Sequence, residues 1–193
     1  MQFSVRIFFW FIALLPLFGF WTYGLFDLDE GIYAASLRGM ILNNDRVVPS
    51  YLGNPFFEKP ILVYWLSWLS LGVSFSDMFA LRLPSVVACI GTLLLVFQFL
   101  RMRYDDAAAM RAVIVLSASP LFMGVGKMMM PDALLYFFLS GALLCFWSSL
   151  ERSKHFRIYS GVCLGFATLA KGPVAVAFFV LVLVFCYLFL IDK

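Results

Sequence analysis

Charge is what this sequence has least of. Asp, Glu, Lys and Arg together make up 13% of 193 residues, about half the share found in a soluble domain. The net charge of +3 is too small to suggest a nucleic-acid partner. There is no nucleotide-binding glycine loop, no internal repeat at a 20–50-residue period and no low-complexity linker. The four cysteines, Cys89, Cys145, Cys163 and Cys186, all fall inside apolar runs. They show neither metal-ligand spacing nor a secreted disulfide framework. The one histidine, His155, sits in a short basic stretch away from the other informative residues and takes no role.

Apolar residues fill the space, at 64% of the chain and a mean hydropathy of +0.97. They come in runs of roughly 20, enough to cross a hydrocarbon core of about 30 Å. The 23 Phe and 5 Trp suit a lipid-facing surface with aromatic belts. The expected architecture is an all-α integral membrane domain over 1–193 with about six spans: 5–26, 78–100, 107–126, 133–150, 157–170 and 174–191. The first run lacks a small-residue cleavage site and reads as an uncleaved span. The dozen apolar residues Ile61–Gly72 cover only about 18 Å as a helix. They read as a helix lying at the interface, with Trp65 and Trp68 at headgroup depth.

Six spans also satisfy the bias of basic residues toward the cytoplasm. One side receives Arg6, Arg101, Arg103, Arg111, Arg152, Lys154, Arg157 and Lys193 against only Asp105, Asp106, Glu151 and Asp192. The opposite side is slightly acidic and holds the longest polar connection, an outer loop at 27–76. Asp29-Glu30 follows the first span directly. Ile32, Tyr33, Leu37, Met40 and Ile41 then form a stripe at near-helical spacing with Arg38 off it, which describes a second interfacial amphipathic helix over Glu30–Asn44. Phe57-Glu58-Lys59-Pro60 precedes the apolar dozen, Lys127 and Pro131-Asp132 flank the outer end of the third span, and Lys171-Gly172-Pro173 turns between the last two.

Each signal has an ordinary structural reading. Asp29 and Glu58 suit helix caps, Lys127 and Lys171 suit snorkelling anchors, and Glu58-Lys59 suits a local ion pair or a headgroup contact. Together they set Asp29, Glu30, Glu58 and Asp132 against Lys59, Lys127 and Lys171 on one face. Carboxylates and lysines gathered at a membrane surface fit group transfer from a lipid-linked phosphate. A carboxylate takes the proton of an attacking hydroxyl, and fixed cations stabilise charge on the departing phosphate.

The ordered strings carry a family resemblance. They are Asp27-Leu28-Asp29-Glu30-Gly31-Ile32-Tyr33-Ala34, Asp45-Arg46-Val47-Val48-Pro49, Leu52–Pro60, Tyr64-Trp65, Ala80–Ser85, Ser119-Pro120-Leu121, Pro131-Asp132 and Lys171-Gly172-Pro173. In this order and spacing the chain resembles the GT-C class of membrane glycosyltransferases, in the branch of protein O-mannosyltransferases and aminoarabinose lipid A transferases. The resemblance implies a polyprenyl-phosphate sugar donor, an outward-facing site in a bacterial cytoplasmic membrane and inversion at the anomeric carbon. It implies Asp29 as the catalytic carboxylate, Glu58 as a second essential acid, Lys59 as a ligand of the donor phosphate and Asp132 as a cavity acid. Glu30, Tyr33, Lys127 and Lys171 follow as substrate-binding residues. Ile32 departs from the aminoarabinose transferases, which carry an arginine immediately before the tyrosine.

Family members run to several hundred residues. The chain therefore corresponds to their N-terminal catalytic portion, as a fragment, a truncated copy or one half of a split enzyme whose other spans come from a second chain. The acceptor is a lipid, a glycan or a protein. No cofactor is required by this chemistry, and a divalent cation at Glu58 is compatible with it. The competing expectation is a non-catalytic subunit that binds polyprenyl phosphate or partners a larger transferase.

Overall fold

A computed structural model describes residues 3–26, 28–72, 74 and 76–188. Asp27, the end of the last expected span at 189–191, Asp192 and Lys193 lie outside the described residues, as does the Arg6 side chain.

The expected first span is shorter than its apolar run. Helix α1, Phe3–Leu14, gives way to a 3-10 turn at Leu15–Leu17. Pro16 has no N–H to continue the ladder, and Gly19 then takes a φ of 73°. Residues 18–26 therefore run as irregular backbone whose carbonyls need partners from elsewhere. Helix α2, Asp29–Leu42, follows. Its buried face is Glu30, Tyr33, Ser36, Leu37 and Met40; Ile32 is half-buried and Ile41 exposed. The stripe read from hydrophobicity is thus rotated, because a carboxylate occupies one inward position.

A two-residue hairpin, β1 (Ser50–Tyr51) and β2 (Asn54–Pro55), pairs Ser50 with Pro55. Leu52 and Gly53 turn it with positive φ at both positions, the geometry that suits the twist of a tight hairpin. The hairpin rests on α2 at Gly39, where a Cβ would lie 2.1 Å from the Ser50 carbonyl oxygen. Helix α3, Leu62–Leu71, has ten residues and a length of about 15 Å, too short to cross a bilayer.

Helices α4 (Asp77–Arg103) and α7 (Pro131–Glu151) are each long and apolar enough to span a membrane. Ser76 caps α4 by accepting from Phe79 N at 3.2 Å. Pro84 interrupts the α4 ladder, and Ser67 of α3 donates to the neighbouring Leu81 carbonyl at 3.1 Å. Between them, α5 (Asp106–Ser117) and α6 (Pro120–Gly126) are together long and apolar enough to span a membrane but are bent by 70° at the break between them, the shape of a broken span or of a re-entrant loop. Ser119-Pro120 makes the break, since the residue before a proline is driven out of the helical region. The third span expected at 107–126 falls on this bent pair. Helices α8 (Phe156–Lys171) and α9 (Val174–Cys186) complete the bundle. Gly172, with φ 84°, makes the turn between them, a conformation open to few other residues. The core runs along α4, where Cys89 and Leu93 meet Met110 and Val113 of α5 and Met129 before α7. It continues outward to Leu37, Met40 and Tyr64 under the loop.

Candidate functional site

The site is assembled where α2, the stretch before α3, the α6–α7 turn and the α8–α9 turn meet. Asp29 and Glu30 both lie in the first turn of α2 but point apart: Asp29 is exposed and Glu30 is 1% exposed. Leu28 holds the N-cap position at φ 46° and ψ −76°, and no side chain caps the helix. Asp29 is therefore not a helix cap. Neither is Glu58, because α3 begins at Leu62 with Ile61 at its N-cap.

Glu30 meets Arg82 of α4, which is fully buried. Its Oε1 accepts from Arg82 Nε at 2.7 Å and from the Met129 N–H at 2.8 Å. Its Oε2 accepts from Arg82 Nη2 at 2.8 Å and from the Phe26 N–H at 2.7 Å. Burial alone would raise the Glu30 pKa, but Arg82 and the two backbone donors outweigh it and hold the carboxyl below its ordinary value. The remaining Arg82 donors reach carbonyl oxygens of Phe20 at 2.7 Å, Tyr23 at 3.0 Å and Gly24 at 2.7 Å. The Tyr23 ring covers the guanidinium at 4.1 Å, and its hydroxyl donates to the Lys127 carbonyl at 2.7 Å. Glu30, expected to bind substrate, has both oxygens committed to these four donors.

The exposed residues gather on the other side of α2. Tyr33 is buried, and its phenol is pushed up to about 12, first by burial and then by the charges of Asp29, Asp132 and Glu58. All three carboxylates thus act electrostatically on the Tyr33 phenol. Tyr64 lies edge-on to Tyr33 with ring centroids 6.4 Å apart, and its phenol is raised by burial, by Tyr33 and by Glu58. Glu58, Lys59 and Lys171 line a single cleft of about 390 Å³ floored by Pro60, Ile61 and Pro173. Lys171 also pairs with Asp132 in the first turn of α7. Among the described residues, Asp29, Glu58 and Lys59 have no ion-pair partner, and no three His, Cys, Asp or Glu side chains gather closely enough to hold a metal ion.

The structure thus brings together Asp29, Tyr33, Glu58, Lys59, Asp132 and Lys171. Lys127 stands at the end of α6, where its carbonyl accepts from the Tyr23 hydroxyl on the Arg82 side of the site. Arg82 escaped attention in the sequence as one outer charge among several. The readable signal was an arginine inside the second turn of an apolar span, which needs a buried partner, with an unexplained second acid beside Asp29.

Residues 58–192 match the profile of the family described as dolichyl-phosphate-mannose-protein mannosyltransferase. Among curated relatives, the undecaprenyl phosphate-alpha-4-amino-4-deoxy-L-arabinose arabinosyl transferase of Erwinia tasmaniensis is 31% identical over 173 residues, 86% of this chain and 31% of the relative. The enzyme of the same name from Pseudomonas aeruginosa strain LESB58 is 33% identical over 160 residues, 80% of this chain and 29% of its own. The crystal structure of ArnT from Cupriavidus metallidurans bound to undecaprenyl phosphate shares the fold, with a TM-score of 0.86 at 20% identity over 97% of this chain and 36% of that one. Its apo form gives 0.83 at 22% identity, over 96% and 36%. The chain spans about a third of the length of the curated relatives it matches.

Proposed function

The chain belongs to the dolichyl-phosphate-mannose-protein mannosyltransferase family, and from that premise we propose that it carries the donor site and catalytic carboxylate of a polyprenyl-phosphate-sugar glycosyltransferase. The observation that carries this reading is the cleft lined by Glu58, Lys59 and Lys171, with Asp132 paired to Lys171 at its edge; the charges of Asp29, Glu58 and Asp132 also act on the nearby Tyr33 phenol. In the proposed reaction an acceptor hydroxyl attacks the anomeric carbon while Asp29 removes its proton. The bond from that carbon to the donor phosphate breaks, and the polyprenyl phosphate leaves with its electron pair and with inverted stereochemistry at the sugar. Lys59 and Lys171 stabilise the charge that grows on the phosphate. Glu58 and Tyr33 hold the sugar and acceptor between the two centres, and Lys127 adds a positive charge at the far edge. No metal is needed in this scheme, and Glu58 is a single ligand available to one.

The membrane arrangement that goes with it has six crossings, with α2 and α3 lying at the outer interface of a bacterial cytoplasmic membrane and the site facing outward. The names of the relatives support an undecaprenyl-phosphate-linked donor; the acceptor is a lipid, glycan or protein hydroxyl, or a phosphate. The test is Asp29→Asn in the full chain, reconstituted with undecaprenyl-phosphate sugars. Transfer is abolished while membrane insertion and undecaprenyl-phosphate binding persist; undiminished transfer would sink the assignment. A second reading is a non-catalytic polyprenyl-phosphate-binding subunit or partner of a larger membrane transferase. It predicts tight binding with no turnover by the wild-type chain.

A further inference from the structure

We infer that Arg82 is a positioning residue that sets Asp29 and the Lys127–Asp132 turn in register with each other through Glu30; the inference rests on the proposed function. Every donor of the Arg82 guanidinium is used, three of them on the irregular backbone after α1 and two on Glu30. Every strong acceptor direction of Glu30 is used as well, and its two backbone partners, Phe26 and Met129, lie on different segments. The pair is therefore closed to substrate and fastens four segments at one point: residues 20–26, the first turn of α2, α4 and the α6–α7 turn. Ser85, one turn along α4, fastens the same α6–α7 turn by donating to the Met130 carbonyl at 3.4 Å. Tyr23 makes the link reciprocal, with its ring on Arg82 and its hydroxyl on Lys127.

What this does to chemistry follows from Leu28. Its φ of 46° with ψ of −76° is a conformation that a branched side chain adopts only when its surroundings impose it. The clamp grips the chain on both sides of it, at Gly24 and Phe26 before and at Glu30 after. Relaxation of Leu28 would swing Asp29, the next residue, while the released α6–α7 turn would shift Lys127 and Asp132. A general base displaced by about 1 Å loses on the order of a hundredfold in rate. A fully desolvated ion pair that offers little net stability over apolar replacements is then retained for geometry.

The experiment uses the full chain in nanodiscs, with undecaprenyl phosphate as the binding probe and an undecaprenyl-phosphate sugar as donor. Arg82→Lys keeps the charge but loses the fork, and Glu30→Gln keeps the shape but loses the charge. Both are expected to lower kcat by about a hundredfold while KM and undecaprenyl-phosphate affinity stay within about threefold. Tyr23→Phe, which removes only the bond to Lys127, is expected to lower kcat by about fivefold at unchanged melting temperature. Folded Arg82→Lys with wild-type kcat overturns the inference, as does a loss confined to KM. Should the two clamp variants fail to fold, Tyr23→Phe decides: a lowered kcat supports the role and a wild-type kcat overturns it. A wild-type chain that neither binds nor transfers overturns the proposed function, and this inference with it.

Discussion

Replacing Lys59 by alanine probes the proposed donor cleft most directly. The cleft joins Lys59 and Lys171 across about 390 Å³, so a phosphate seated there meets two ammonium groups that are not equivalent. Lys171 is shared with Asp132, whereas Lys59 has no competing carboxylate among the described residues. Two unit charges 4 Å apart near a protein surface attract by about 4 kcal/mol. Lys59 is half-exposed, and solvent screening together with the cost of fixing a long side chain reduces this. The expected net value is that of a charge-assisted hydrogen bond, about 1.5–3 kcal/mol. Lys59→Ala should therefore weaken undecaprenyl-phosphate binding by roughly 10- to 100-fold, measured by titration into nanodiscs at fixed ionic strength. Lys171→Ala should cost less, about threefold, because Asp132 already offsets its charge. Asp132→Asn in the Lys59→Ala background should recover part of the loss by releasing Lys171, a coupling that a double-mutant cycle reads. An affinity within threefold of wild type for Lys59→Ala, or no coupling between Asp132 and Lys59, would refute the two-lysine cleft.

Two further outcomes test the scaffold beneath the site. Gly39→Ala forces a Cβ within 2.1 Å of the Ser50 carbonyl and 2.4 Å of its hydroxyl, so the hairpin must lift from α2 at a cost of about 1–3 kcal/mol; an unchanged melting temperature would contradict this packing. Glu30 is held below its ordinary value of 4.5, so folding favours its ionised form. Its contribution to stability is complete above that pH and is lost as the pH falls through the lower folded value. Thermal melts of wild type and Glu30→Gln should converge as the pH drops below about 4.5, and a gap that stays constant down to pH 3 would disprove the linkage.

Local chemistry made much of the molecule readable. Apolar runs located α4, α7, α8 and α9, and the short Ile61–Gly72 stretch holds α3, a helix of ten residues. The pairing of Lys171-Gly172-Pro173 with a tight turn follows from glycine's access to positive φ. Misjudgement began where one residue type had two uses. The stripe on α2 was drawn through Ile32 and Ile41 on hydrophobicity, while the buried face runs through Glu30 and Ser36. The first apolar run is as long as a span, yet Pro16 ends its regular helix early. Glu30 reads as a substrate ligand because an acid beside the proposed catalytic Asp29 looks the same in sequence whichever way it points.

The polar loop at 27–76, its acids and Lys59 were determined by the sequence itself, because charge in an apolar chain announces its position without reference to any fold. Tertiary structure alone decided their surroundings. Asp29 and Glu30 are adjacent, but successive residues on a helix diverge by about 100°, so one is exposed and the other faces the core. Glu30 then finds Arg82 at a separation of 52 residues and the Met129 N–H at 99. No local pattern encodes those distances. They follow from the packing of α4 between the two outer turns, where a buried charge is tolerated only if every one of its hydrogen bonds is met.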